Sequence, residues 1–488
     1  MLMVVVSYIL ILILAFACVY LPFLALGAGA NFQTLALFVA GVILSGSMLW
    51  SLVPRRNKFV PPGVLLDRSV HTRLFAEIDE IASALCEPLP REVYLIPEPN
   101  AWVADRGGVL GIGSWRIMGL GLPLLSVMNI SQFRAILAHE FAHYYGGDTR
   151  LGPWLRRAQI AMIRTFQTIG STGKAMRVAI MQVLYMVVFG ILKWYWLLFL
   201  RAINFVSRRQ EFRADELACI VAGPESLVSG LRLGHGVTGA WPIYWKQNVA
   251  PMLNAGFLPS MTDGFAEFMT VPSISQAVEQ RIHTEMEKGT THPFDSHPKL
   301  SDRIAAAQLL LVQPIPCDSL PARSLLNENA SWDLSFLRLF NPGMRDDDLK
   351  RISWGESSNT VLLPGWTNFV KAHAQALRGI TVQNLFESLR RIREIAEQIP
   401  NPRGMLLTPE KRIEQARDLL AVALGLALIR HGWMLHSRPG ELYLKSGEEQ
   451  LNPFDLIRRL SDGEMTDKDW LSNVQRLGID AIPLVDHP

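Results

Sequence analysis

The sequence predicts a mainly helical α+β chain: an N-terminal helical hairpin of membrane-crossing length, a middle segment around one histidine-bearing helix, and a separate α+β tail. Three observations carry this. Two uncharged apolar runs open the chain, a His-Glu-x-x-His pentad occupies 139–143, and proline-punctuated charged helical patterns take over after about residue 311. The 488 residues are about three times the usual domain size, so several units are expected: 1–58, 59–312 and 318–488. Apolar residues make up 49% and charged residues only 19%, with a mean hydropathy of +0.19, which argues against disorder and toward lipid. The net charge of +3 is too balanced for a general basic field, so no nucleic-acid partner is expected. Cys18, Cys86, Cys219 and Cys317 form no CxxC pair and read as reduced thiols.

Leu2 to Leu26 and Thr34 to Val53 hold no charged side chain, and each run is long enough to cross about 30 Å of hydrocarbon. A secretory signal peptide is the competing reading, with small residues at 28–30 imitating a cleavage site, but a basic n-region is missing and a second span follows. The loop Gly27 to Gln33 lacks Lys and Arg, whereas Arg55, Arg56 and Lys58 follow the second run. Both hairpin ends are therefore expected on the cytoplasmic side of the cell membrane, with the chain after residue 55 beginning on that side.

Val178 to Leu200 is a third apolar stretch, closing on Trp194, Tyr195, Trp196 and Arg201 like an interfacial belt. A buried core helix is the alternative. In the tail, Lys371 to Gln398 and Glu410 to Ile429 have helical periodicity, and Pro439-Gly440 before Glu441 to Lys445 reads as turn then strand. Trp366, Trp433 and Trp470 are expected in its core.

The chemistry lies in His139-Glu140-Phe-Ala-His143. On a helix the two histidines stand one turn apart on one face and can converge on one Zn²⁺ at about 2.0–2.1 Å. Glu140 beside them can take a proton from an activated water and return it to a leaving amine. Ser131 is the expected N-cap and Gly146-Gly147 the expected stop. About 0.01 matches are expected by chance. The bland alternative is a core helix whose histidines only hydrogen-bond. A hydrolytic zinc site needs a third protein ligand, and Glu211 in Ser207-Arg-Arg-Gln-Glu-Phe-Arg-Ala-Asp is the best candidate, with Asp215 one turn on to orient a ligand histidine. Ser207 and Gln210 have capping-box spacing. Alone, such a Glu/Asp pair is more often a solvated helix face.

These residues resemble the membrane-anchored HExxH zinc metallopeptidases that include HtpX and the CAAX prenyl proteases. The resemblance rests on His139-Glu-Phe-Ala-His with Asp148, Glu211-Phe-Arg-Ala-Asp215 and His297-Pro-Lys-Leu-Ser-Asp-Arg-Ile, and covers roughly residues 1–310. It implies a zincin-like fold, one Zn²⁺ per chain on His139, His143 and Glu211, a catalytic Glu140, and support from Asp148 and Asp215. It also implies catalytic roles for His297 and Arg303, near substrate or intermediate. His292 is an alternative register, and a proline-ended turn the simpler reading. Asn100-Ala101-Trp102 resembles the family's edge-strand motif, which pairs with an extended substrate backbone.

A single crossing at 178–200 would put Glu211 across the bilayer from His139, so this stretch must cross an even number of times or not at all. Arg156, Arg157 and Arg164 upstream argue against a second crossing, which favours a helix on, or dipping into, the membrane surface. The expected function is a membrane-anchored zinc endopeptidase acting on protein or peptide substrates, including misfolded membrane proteins, in quality control. A prenyl-protein protease and a zinc-stabilised membrane scaffold with a partner-binding tail are the alternatives.

Overall fold

The computed structural model describes residues 2–53, 59–109, 112–144, 152–175, 178–289, 297–327, 332–400 and 407–485. The chain is mainly helical with three small sheets among these residues. It forms two compact units: residues 1–238 with 279–332, and residues 239–278 with 333–488. Residues 239–278, which lie in sequence within 59–312, thus group with the tail.

In the first unit the order is α1 (Leu2–Ala28), α2 (Phe32–Leu52), β1 (Val64–Leu65), α3 (Thr72–Ala84), β2 (Glu92–Ile96), β3 (Ala101–Val109), β4 (Ile112–Gly121), α4 (Leu122–Val127), α5 (Ile130–Ala142), α6 (Gly152–Ala175) and α7 (Ala179–Ala222). Then come α8 (Pro224–Tyr244), α9 (Ala250–Asn254), β5 (Phe257–Leu258), α10 (Met261–Thr270), α11 (Pro272–Lys288) and α12 (Leu300–Gln308). The division between the units falls within α8 and α11.

α1, α2 and α7 are each long and apolar enough to cross a membrane. Asn31 caps α2 through a reciprocal pair with Thr34, which satisfies the first free amides at the turn between α1 and α2. The hairpin closes tightly because Gly41 faces the Cys18 carbonyl; a Cβ there would stand 1.7 Å from that oxygen. α6 and α7 pack against this hairpin, and Leu44, Met48, Met162, Ile169, Leu192 and Phe199 are buried among them. Two hydroxyl pairs tie α2 to α6: Ser51 with Thr165 at 2.7 Å and Ser47 with Thr172 at 3.1 Å. Large apolar side chains such as Phe16, Phe23 and Trp50 face outward, as a lipid-facing surface requires.

The third apolar stretch is not a separate helix. It is the first half of one continuous 44-residue helix, and no helix begins at Ser207 despite the capping-box spacing there. Extended packing outweighs a local cap. α6 precedes α7 as its antiparallel partner, with Phe166 against both Phe189 and Trp196. Ala175 lies ten residues, about 15 Å, beyond Thr165 along α6. Arg55, Arg56 and Lys58, on which the expected orientation rests, lie outside the described residues.

The first unit's sheet has the order β1-β2-β4-β3, with β3 antiparallel to β4 and β2 parallel to it. β3 is thus an edge strand, and α5 packs against it. The cap of α5 is Asn129 rather than Ser131: Asn129 accepts from the Gln132 amide while Gln132 Oε1 accepts from the Asn129 amide. Ser131 instead accepts from the Asp318 amide at 2.7 Å. Gly146 and Gly147 lie outside the described residues.

In the second unit, the helix Pro409–Arg430 is surrounded by buried apolar residues that include Trp366, Trp433 and Trp470. Met434–Arg438, Glu441–Ser446 and Glu449–Leu451 form an antiparallel sheet. β5 pairs in parallel with Lys350–Arg351, and Tyr244, Phe265, Phe268 and Trp354 cluster nearby. All four cysteines are unpaired.

Candidate metal centre

α5 carries the pentad and packs lengthwise on the second half of α7. His139 and Glu211 are buried, while His143, at the helix end, is partly open. His139 Nε2 and His143 Nε2 stand 3.2 Å apart. Glu211 Oε2 is 3.5 Å from His139 Nε2, and Oε1 is 3.5 Å from His143 Nε2. Donors bound at about 2.0–2.1 Å around a tetrahedral ion sit about 3.3–3.4 Å apart, so this triangle matches one face of such a site. Glu211 Oε2 is buried yet accepts no hydrogen bond. Its charge is offset by Arg303 Nη1 at 3.4 Å, and it keeps the capacity to accept from a further cation. The three residues fit a metal ion.

Behind the triangle, Asp215 sits one turn along α7 from Glu211. Its Oδ1 lies 2.9 Å from His139 Nδ1, fixing the ring so that Nε2 faces His143 and Glu211. Arg303, on α12, places Nε 2.8 Å and Nη2 2.7 Å from the two Asp215 oxygens. It is 6% exposed and also lies 3.4 Å from Glu211 Oε2. The resemblance implies a place near substrate or intermediate for Arg303; its side chain turns onto Asp215 and Glu211, with Nη2 also 3.4 Å from the His139 ring. His297, just before α12, stands with Nδ1 3.0 Å from Glu211 Oε1 and remains 67% exposed. Asp148 and His292 lie outside the described residues.

Asn100 is exposed and precedes edge strand β3, on which Ala101 is the first, buried residue. Tyr144, directly after the pentad, donates from its hydroxyl to the Val103 carbonyl at 2.8 Å and so ties the end of α5 to that strand. Sequence reasoning passed over Tyr144, although its adjacency to His143 was available as a signal.

Residues 69–310 match peptidase family M48. The matched stretch is just under half of the chain. Protease HtpX of Idiomarina loihiensis is 27% identical over 172 residues, covering 33% of this chain and 55% of that protein. Protease HtpX homologs of Campylobacter curvus and Campylobacter concisus are each 25% identical, over 252 and 291 residues; these cover 49% and 55% of this chain and 75% and 95% of theirs. The chain thus spans little over half of the Idiomarina relative's length. No solved structure matches.

Electrostatics separate the two histidines of this M48 segment. Burial opposes charge on His139, but Asp215 and Glu211 against its ring raise it to about 9. Burial and the neighbouring His139 lower His143 to about 4. Burial lifts the Glu140 carboxyl to about 7, with His139 pulling it back and Glu211 adding to the rise. A carboxyl near 7 is poised both to take and to give a proton at neutral pH.

Proposed function

We propose that this membrane-anchored M48 chain is a zinc-dependent endopeptidase that cuts cytosol-exposed segments of membrane proteins, misfolded ones among them. The observation that carries it is the donor triangle of His139, His143 and Glu211, with an unsatisfied Glu211 oxygen in it and Glu140 beside it. Two imidazoles and one carboxylate are a donor set suited to zinc with one position left open. Such a metal supplies Lewis acidity toward water and the scissile carbonyl.

The chain's own residues do the rest. Glu140 takes the proton of the attacking water on its carboxylate and hands it to the leaving amide nitrogen. Asp215 holds His139 in the tautomer whose Nε2 is free to bind, and Arg303 neutralises Asp215. Exposed His297 contacts substrate at the rim, and Asn100 and Ala101 begin the strand that pairs with an extended peptide backbone. The cytosolic location rests on the cationic residues after α2.

The test uses the full chain in detergent: bound zinc is measured, and casein cleavage by the native protein is compared with that of Glu140→Gln. The expected result is about one zinc per chain in both, with cleavage only by the native protein. Absence of zinc from both overturns the site; equal cleavage by both overturns the role of Glu140.

A further inference from the structure

α7 joins the membrane bundle to the candidate metal centre without a break: Leu192, Tyr195 and Phe199 are buried in the bundle, and Glu211 and Asp215 follow on the same rod. The lipid boundary can be marked on it. The Tyr195 hydroxyl donates to the Met3 carbonyl, so Tyr195 is level with the first turn of α1. Gly41 against Cys18 sets α1 and α2 antiparallel, which brings the end of α2 to roughly the same level. Trp194, 68% exposed, and Trp196 flank Tyr195 as interfacial anchors, and Arg201 is the first cation beyond them. Further along, the Arg209 guanidinium covers the exposed Phe205 ring at 4.8 Å, a pairing suited to the headgroup layer. Glu211 follows Arg201 by ten residues and Tyr195 by sixteen, which is about 15 and 24 Å at 1.5 Å per residue.

Resting on the peptidase reading above, we infer that α7 acts as a spacer that holds the metal centre off the hydrocarbon core, so that a membrane-anchored substrate is cut only beyond a minimum distance from its own span. An extended chain covers at most about 3.3–3.6 Å per residue, so 15–24 Å corresponds to about four to seven residues. Bonds closer than that cannot reach Glu140 without pulling the span out of the hydrocarbon. The substrate class is accordingly membrane proteins with unfolded tails or loops longer than this, and not those with short juxtamembrane stubs.

The native protein is reconstituted in phosphatidylcholine–phosphatidylglycerol vesicles with single-span substrates. Each carries one casein-derived cassette separated from the span by about 2, 6, 12 or 24 Gly/Ser residues. The same cassettes without a span serve as soluble controls. The expected result is equal cutting of all soluble forms and of the two long-spacer anchored forms, with the shortest anchored form cut at least about tenfold more slowly and the break falling near the six-residue spacer. Equal cutting of every anchored form overturns the spacer while leaving the peptidase reading intact. Failure to cut even the soluble cassettes overturns that reading and the spacer with it.

Discussion

Arg303 grips Asp215 with two prongs, Nε and Nη2 at 2.8 and 2.7 Å, in a pocket closed to solvent behind His139. The same Asp215 oxygen that meets Nη2 also lies 2.9 Å from His139 Nδ1. The aim of one metal-binding ring therefore depends on an ion pair that reaches from α7 to α12.

Asp215→Asn keeps the shape but weakens the hold on His139. Zinc affinity is expected to fall about 10- to 100-fold, read by chelator competition. Arg303→Lys keeps the charge, loses the fork, and is expected to fall in the same direction by less. Undiminished affinity in Asp215→Asn would show that His139 is oriented by something else.

Metal binding is expected to release a proton from His139. In the metal-free chain that ring is held up to about 9 while His143 is lowered to about 4, so at pH 8 His139 is the ligand still protonated. Apparent affinity should rise up to about tenfold per pH unit toward pH 9 and then level off. Calorimetry at pH 8 in two buffers of different ionisation enthalpy should give about one proton released per zinc, unchanged in Glu140→Gln. Release of none contradicts this assignment.

Gly41→Ala tests the hairpin. A Cβ at Gly41 meets the Cys18 carbonyl at 1.7 Å, so the helices must part, whereas a Cβ at Gly46 meets nothing within 4 Å. Gly41→Ala is expected to lower the melting temperature in detergent and Gly46→Ala to leave it nearly unchanged. Equal behaviour of the two variants would mean that the close approach is not what holds α1 to α2.

Asp333 offers a pH test in the second unit. Burial raises it from the ordinary 3.8 to about 6; Met261, whose amide donates to it, opposes the rise and Asp263 adds to it. A raised carboxyl favours folding when protonated, so its contribution is complete below about pH 4 and lost as pH climbs through 6. Asp333→Asn, which can still accept from Met261, is expected to stabilise by about 1–2 kcal/mol at pH 8 and to change little at pH 4, by thermal unfolding at both pH values. Destabilisation at pH 8 would rule out an ionic penalty at this position.

Much of the first unit was legible in the chain. Uncharged runs fixed α1 and α2, and the spacing of His139 and His143 with the Glu211/Asp215 pair led to the residues that meet in space. What escaped reading depended on longer-range packing. Ser207 and Gln210 have the right spacing for a helix start, yet α7 runs through them because its upstream half is already held by the bundle. Asn129 displaced Ser131 as cap because only Asn129 has a glutamine three residues on to complete the exchange. Arg303 was placed near substrate or intermediate by the resemblance of its motif, and only the fold shows that its side chain turns onto Asp215.

The division of the chain carries a consequence for anyone who would trim it. The family match ends at residue 310, which invites a cut there. Yet residues 239–278 are completed only by sequence made later: β5 finds its strand partner at Lys350–Arg351, Tyr244 meets Trp354, and the Met261 amide is received by Asp333. A protein ending at 310 would leave Tyr244, Phe265 and Phe268 without those partners. The gene order interleaves what the fold keeps together, so the peptidase segment cannot be released from its tail by a single cut.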